Sequence, residues 1–246
     1  MNLISVIMPY YKKKKFIKSS IESISNQTNQ NFEIIIIYDD KSSDDYDYIL
    51  KFQQLDERIK VIKNEDNIGA GYSRNKGILE SKGNFIAFLD CDDYWRKDKL
   101  EKQLMFMIEN KISFSFTSYN VVNLNNDIIK FNKAPKKIKF NDLIKDCKIG
   151  LSTVMLEKNL FNEDCMFPKL TTKEDFVLWL RISKKIDLFG LDEPLVNWRK
   201  LNDSLSSNLF QKIKDGYKVY NNYLGLNPIM SIYYLLLLSI NYLKKN

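Results

Sequence analysis

A chain of 246 residues, 44% hydrophobic and 28% charged, has the size and composition of one generous globular domain or a domain with an appendage. It contains no histidine, which excludes His-based triads, His metal sites and His acid–base chemistry and leaves proton transfer to Asp or Glu. The net charge of +7 suits an anionic surface or a phosphorylated substrate, but Lys, Asn and Ile are used heavily throughout and no nucleic-acid-reading motif is present.

The amino terminus, "MNLISVIMPYY", lacks the basic region and small-residue cleavage site of a signal peptide, and its β-branched run reads as a first strand ended by Pro9. In "KFIKSSIESISNQ", Phe16, Ile17, Ile21 and Ile24 follow helical spacing. Then come the apolar strand "FEIIIIYDD", a helix in "YDYILKFQQL", a strand in "IKVIK" and a helix in "GYSRNKGILESK". A fourth strand, "NFIAFLD", leads to the helix "KDKLEKQLMFMIENK". Beyond residue 110 the rhythm changes. "SFSFTSYNVV" alternates like a half-exposed strand, and "NDIIKFNKAPKKIKF" reads as a hairpin or loop followed by an extended piece. "STVMLEKNLF" suggests a strand entering a helix, "TTKEDFVLWLRISKK" is an amphipathic helix, and "DLFGLDEPLVNWR" reads as two short strands. The last forty residues read as helical.

Strand–helix alternation with apolar strands predicts a mostly parallel, Rossmann-like α/β sheet flanked by helices on both faces. The expected organisation is a domain over 1–207, divided into a parallel, nucleotide-type half (1–95) and a mixed second half (96–207), with a helical extension over 208–246. The three cysteines, Cys91, Cys147 and Cys165, are scattered without CxxC spacing, so neither a zinc site nor a disulfide framework is expected and a reducing cytoplasm is.

Ligands of parallel sheets gather beyond the carboxyl ends of the strands. Two such ends are acidic here: Asp39 and Asp40, then Asp90, Asp92 and Asp93. In an extended backbone Asp90 and Asp92 share a face, where their oxygens suit Mg²⁺ or Mn²⁺ bridging a diphosphate. The alternative is a solvated loop capping the next helix. "NIGAGYSRN" lacks the third glycine of a dinucleotide fingerprint; it reads as a tight turn opening a helix, with Arg74 either beside an anion or on the surface. Thr172 and Asp175 have capping-box spacing, so Asp175 caps a helix or, like Glu174, serves as a general base.

In chain order, "SVIMPYY", "SISNQT", "FEIIIIYDDKSSD", "NEDNIGAGYSRNKGI", "GNFIAFLDCDDYW", "KEDFVLWLRI" and "NWRKLNDSLSSN" resemble family 2 glycosyltransferases of the GT-A fold over most of residues 3–207. The stretch from Asn67 to Phe116, with "IGLSTVML", is most similar to small bacterial enzymes that build surface polysaccharides such as teichuronic acid, capsule or lipopolysaccharide. The resemblance implies an inverting, metal-dependent hexosyltransferase moving sugar from a UDP-sugar donor to a saccharide or lipid-linked glycan hydroxyl. By position it places Pro9 and Tyr11 in the nucleotide pocket, Asp39 at uracil with Asp40 beside it, and Arg74 by the nucleotide-sugar. Asp90 would contact ribose or sugar, and Asp92 would ligate Mn²⁺ or Mg²⁺. Asp175 of the Glu174–Asp175 pair would be the catalytic base, and Arg199, Ser204 and Ser206 would lie near the diphosphate. Three residues depart from the family pattern: Lys41 replaces the usual Gly, Ser73 the common Ala, and Leu201 a His that assists metal or phosphate binding.

A non-catalytic nucleotide-sugar binder or partner subunit and a glycoside hydrolase are the alternative readings. "IMSIYYLLLLSINYL" is too short to span a bilayer, which takes about 20 apolar residues. Residues 228–245 are expected either to lie peripherally on the inner face of the cytoplasmic membrane or to pack on the domain or a homodimer partner.

Overall fold

The structure, a computed structural model, describes residues 2–201 and 209–244. Its first half alternates as expected: β1 (Ile4–Tyr10), α1 (Lys14–Ser25), β2 (Phe32–Tyr38), α2 (Tyr46–Leu55), β3 (Ile59–Lys63), α3 (Ala70–Glu80) and β4 (Phe85–Phe88). After the short β5 (Tyr94–Trp95) and α4 (Lys99–Asn110) come β6 (Phe114–Val122), β7 (Ile128–Asn132), β8 (Lys137–Ile138) and the single turn α5 (Phe140–Leu143). A 3-10 turn at Leu151–Thr153 precedes β9 (Met155–Glu157) and a second at Lys158–Leu160 follows it. Then α6 (Glu174–Ser183), β10 (Leu188–Arg199), α7 (Leu209–Lys218), a π turn (Val219–Tyr223) and α8 (Pro228–Leu243) complete the described chain.

The strands form one sheet in the order β3-β2-β1-β4-β9-β6-β10-β5, with β7 on β6 and β8 on β10. β3, β2, β1 and β4 are mutually parallel; β9 runs antiparallel between β4 and β6, and β10 pairs parallel with β6. A strand covered on both faces reads as a continuous apolar run, and β1 shows why. Ile4, Val6, Met8 and Tyr10 enter one core with α1, α2 and α4, while Ile7 points into the other beneath α3 and α6. The carboxyl-terminal helices belong to that second core: Val219, Tyr220 and Leu238 pack in it with Phe176 and Trp179.

Two expectations for the strands of the second half fail. β6 is not half-exposed, because Ser115, Thr117 and Ser118 are buried as fully as their apolar neighbours. Their hydroxyls are satisfied internally: Ser115 accepts from Gln103 Nε2, and Ser118 donates to Asp192. The segment over 188–199 is one strand rather than two. Its register on β6 slips on either side of Pro194, whose missing amide hydrogen interrupts the ladder without ending it.

Candidate active site

The carboxyl ends of β1, β2 and β4 lie side by side, so the loops after them meet. Asp39, just past β2, is buried and acts on the loop leading to α3. Its Oδ1 accepts from Asn64 Nδ2 at 2.9 Å and the Ile68 amide at 2.8 Å, and Oδ2 accepts from the Gly69 amide at 2.8 Å. Gly69 has φ +87°, which glycine adopts without strain, and the next glycine, Gly71, lets α3 approach α6. A Cβ at Gly71 would stand 3.1 Å from Glu174 Cγ and 3.2 Å from the Pro168 carbonyl oxygen. The glycine stretch is therefore a packing device that brings α3 against the start of α6.

That approach delivers Arg74, whose side chain is only 5% exposed, between two carboxylates. Nη2 donates to Asp90 Oδ1 at 2.8 Å and Nη1 to Glu174 Oε1 at 2.7 Å. Residues 16 and 100 positions away in sequence are thus locked to one guanidinium. Burial pushes the Glu174 carboxyl up to about 7 despite the opposing pull of Arg74, with the Asp175 charge adding to the rise.

Asp175 has a different setting. It lines a cavity of about 270 Å³ together with Asp90, Asp93, Tyr119, Ser152 and Trp198, whereas Glu174 does not. Burial raises its carboxyl above the ordinary range, while Arg74 holds it down. The capping-box expectation is corrected here. α6 begins at Glu174 behind Lys173, which has φ 64°, and Thr172 bonds instead to Asp215 on α7. Asp175 accepts the Phe176 amide at 2.7 Å, so it serves the first turn of α6 while facing the cavity.

The acidic loop after β4 is anchored by Asp93 and Ser152, to which the sequence reading gave no role, and by Arg199. Asp93 is fully buried, accepting the Ser152 hydroxyl at 2.6 Å and the Arg199 amide at 3.0 Å. Burial and the neighbouring carboxylates push it well above the usual carboxylate range. The third carboxylate of "DCDD" and the polar "ST" after "IGL" were the available signals. Arg199 is itself buried; Nη1 donates to the Asp92 carbonyl at 2.7 Å and the guanidinium lies between the Phe16 and Tyr94 rings. It clamps the acidic loop from behind. Pro9 sits in β1, and its carbonyl accepts from the Cys91 thiol. Tyr11 is exposed beside Lys12, and Asp40 is buried with its Oδ1 on the Ser42 amide. Lys41 pairs with Asp66 on the surface. Ser204 and Ser206 lie outside the described residues.

The cavity therefore unites Asp90 and Asp175, but neither Asp39 nor Asp92 lines it. Asp92 stands on the same loop two residues from Asp90, with Lys13 Nζ 2.8 Å from Oδ2. Burial and the Asp90 charge raise its carboxyl and Lys13 lowers it. Among the described residues no three His, Cys, Asp or Glu side chains converge as a ready-made metal cage. The donor set nonetheless fits Mg²⁺ or Mn²⁺, which take one or two protein carboxylates and complete their shell with phosphate oxygens and water. An added cation would also relieve the repulsion between Asp90 and Asp92.

A family model described as glycosyl transferase family 2 matches residues 5–161. TuaG of Bacillus subtilis (strain 168), provisionally named as a teichuronic acid biosynthesis glycosyltransferase, is 37% identical over 220 residues, 89% of this chain and 87% of that one. WfgD of Escherichia coli, a UDP-Glc:alpha-D-GlcNAc-diphosphoundecaprenol beta-1,3-glucosyltransferase, is 39% identical over 236 residues, 95% of this chain and 91% of that one. The crystal structure of S. aureus TarS in complex with UDP-GlcNAc superposes with a TM-score of 0.75 over 94% of this chain and 70% of that one; at 21% identity the likeness is one of fold.

Proposed function

The chain belongs to glycosyl transferase family 2, and from that premise we propose how its cleft works. It is an inverting glycosyltransferase of bacterial cell-surface polysaccharide synthesis that uses a nucleotide-sugar donor. The donor is UDP-linked and the acceptor a lipid-linked glycan, the chemistry that the name of WfgD gives. Asp175 removes the acceptor proton as the hydroxyl oxygen attacks the anomeric carbon. The observation that carries this assignment is that Asp175 faces Asp90 across one cavity while Glu174, its neighbour, is tied to Arg74 outside it.

Glu174 is then a positioning residue. It fixes Arg74, which fixes Asp90 on the donor side of the cavity. A divalent cation, Mn²⁺ or Mg²⁺, held by Asp92 would supply charge stabilisation to the departing diphosphate. Asp93, Ser152 and Arg199 keep the acidic loop in the shape that presents Asp90 and Asp92. Nucleotide release over a panel of sugar nucleotides, with and without Mn²⁺, tests the reading. UDP-sugar turnover that EDTA abolishes is expected; UDP binding without turnover on any donor and acceptor offered would make the protein a non-catalytic binder.

No helix among the described residues is long and apolar enough to cross a membrane. α8 nevertheless exposes Ile229, Ile232, Leu236 and Ile240, spaced three or four residues apart, and ends at Lys244. We assign this stripe to the surface of an anionic bilayer on the cytoplasmic side, rather than to a homodimer partner, because lipid-linked acceptors reside there and the chain carries a net charge of +7. The double substitution Ile232→Lys with Leu236→Lys is expected to lower partitioning onto phosphatidylglycerol vesicles at least ~tenfold without unfolding the protein. Unchanged co-sedimentation would remove the assignment.

A further inference from the structure

Lys13 has no place in the mechanism above, yet it is the cation bonded to the carboxylate expected to hold the metal. It is the last residue before α1, in the turn after β1, and β1 lies directly beside β4 in the sheet. The turn after β1 and the acidic loop after β4 therefore leave the sheet at adjoining points. The Lys13 ammonium sits 2.8 Å from Asp92 Oδ2, with the two side chains 27% and 20% exposed. The pair is sheltered but open to solvent and ligand. On its other side, the Asp92 carbonyl accepts from the Arg199 guanidinium, which also lies 4.9 Å from the Phe16 ring centroid and 5.2 Å from that of Tyr94. Lys13 is held by nothing comparable, and its four-carbon stem lets the ammonium move while its charge stays.

A divalent cation on Asp92 would repel the ammonium 2.8 Å from its Oδ2 and compete with it for the carboxylate charge. An ammonium pushed from Asp92 needs a new anionic partner. A diphosphate arriving with the ion supplies one. Resting on the transferase reading, we propose that Lys13 is an exchangeable counter-ion: it occupies Asp92 while the donor is absent and passes to a diphosphate oxygen when cation and donor load together. Metal loading thereby becomes conditional on the nucleotide, and by linkage the metal raises nucleotide affinity by the same factor. Lys13 also becomes a second positive group on the leaving diphosphate.

The test is Mn²⁺ binding followed by the loss of the free-ion electron paramagnetic resonance signal, with and without UDP, in the wild type, Lys13→Met and Lys13→Arg. This needs no turnover. Without UDP, Lys13→Met is expected to bind Mn²⁺ about fivefold more tightly than wild type, the scale of a partly exposed ion pair. With Mn²⁺ saturating, it is expected to bind UDP about fivefold more weakly, so that the coupling between the two ligands shrinks. Lys13→Arg, which keeps the charge, is expected to resemble wild type in both titrations. A Mn²⁺ affinity within twofold of wild type in Lys13→Met without UDP would overturn the proposal. So would the absence of Mn²⁺ binding in every variant while UDP still binds; that outcome would leave a metal-free transferase standing. Failure of UDP to bind any variant would instead strike the donor assignment, and the Mn²⁺ titration without nucleotide would still decide the role of Lys13.

Discussion

Asp175→Asn is expected to keep nucleotide-sugar affinity within about threefold of wild type and to lose ~10²- to 10⁴-fold in turnover, the usual contribution of a general base. The substitution is nearly isosteric. The amide oxygen can still accept the Phe176 amide, so the first turn of α6 and the cavity wall stay in place. What disappears is the capacity to take a proton. Burial holds the Asp175 carboxyl above the ordinary range, so the acid limb of the wild-type rate profile should lie above the 3.8 of a free aspartate, with activity rising as pH climbs through it. In Asp175→Asn that limb should vanish along with the activity. Isothermal titration for donor affinity, paired with coupled nucleotide-release kinetics, separates the two effects. Near-normal turnover would refute the base assignment.

Arg74→Met is expected to destabilise the fold by about 3–5 kcal/mol at pH 8, because removing one member of a buried ionic cluster strands its partners. Glu174, whose side chain is 12% exposed, would lose the guanidinium that stands 2.7 Å from its Oε1. Its protonation offers an escape, which makes the loss pH-dependent. In the wild type Glu174 already stands at about 7 against 4.5 for the free side chain, and Arg74 is a group holding it down. Without Arg74 the folded value rises further. A folded carboxyl raised above its unfolded value favours the fold least at pH above both values, and that penalty fades as pH falls through the folded value towards 4.5. Urea denaturation should therefore show the deficit of Arg74→Met shrinking from pH 8 to pH 5.5. A deficit independent of pH would mean that Glu174 is not the stranded charge. Because Arg74 also lowers Asp175, the acid limb of any residual activity should move to higher pH in this variant.

Both results turn on contacts between residues far apart in the chain, and this marks how much of the site could be read in advance. The acidic strand ends, the adjacent carboxylates Glu174 and Asp175 and the parallel half of the sheet follow from apolar runs and motif order, because doubly covered strands and clustered carboxylates leave a local signature. The distinction between Glu174 and Asp175 does not. Adjacent residues on a helix point about 100° apart, and which of them meets Arg74 depends on how closely Gly71 lets α3 approach α6.

The same division holds elsewhere. A serine or threonine in β6 looks solvent-facing by alternation, and becomes buried only because partners such as Gln103 and Asp192 arrive from α4 and β10. Thr172 has the spacing of a cap, yet Asp215 on α7, 43 positions away, takes its hydroxyl and amide. What this sequence determined by itself is the alternating architecture, the family and the inventory of carboxylates, since periodicity and ordered motifs are properties of neighbouring residues. Tertiary structure alone decided which carboxylate is tied to arginine, which faces the cavity and which holds a lysine. Those outcomes depend on burial and on charges that the chain brings together only when the sheet closes.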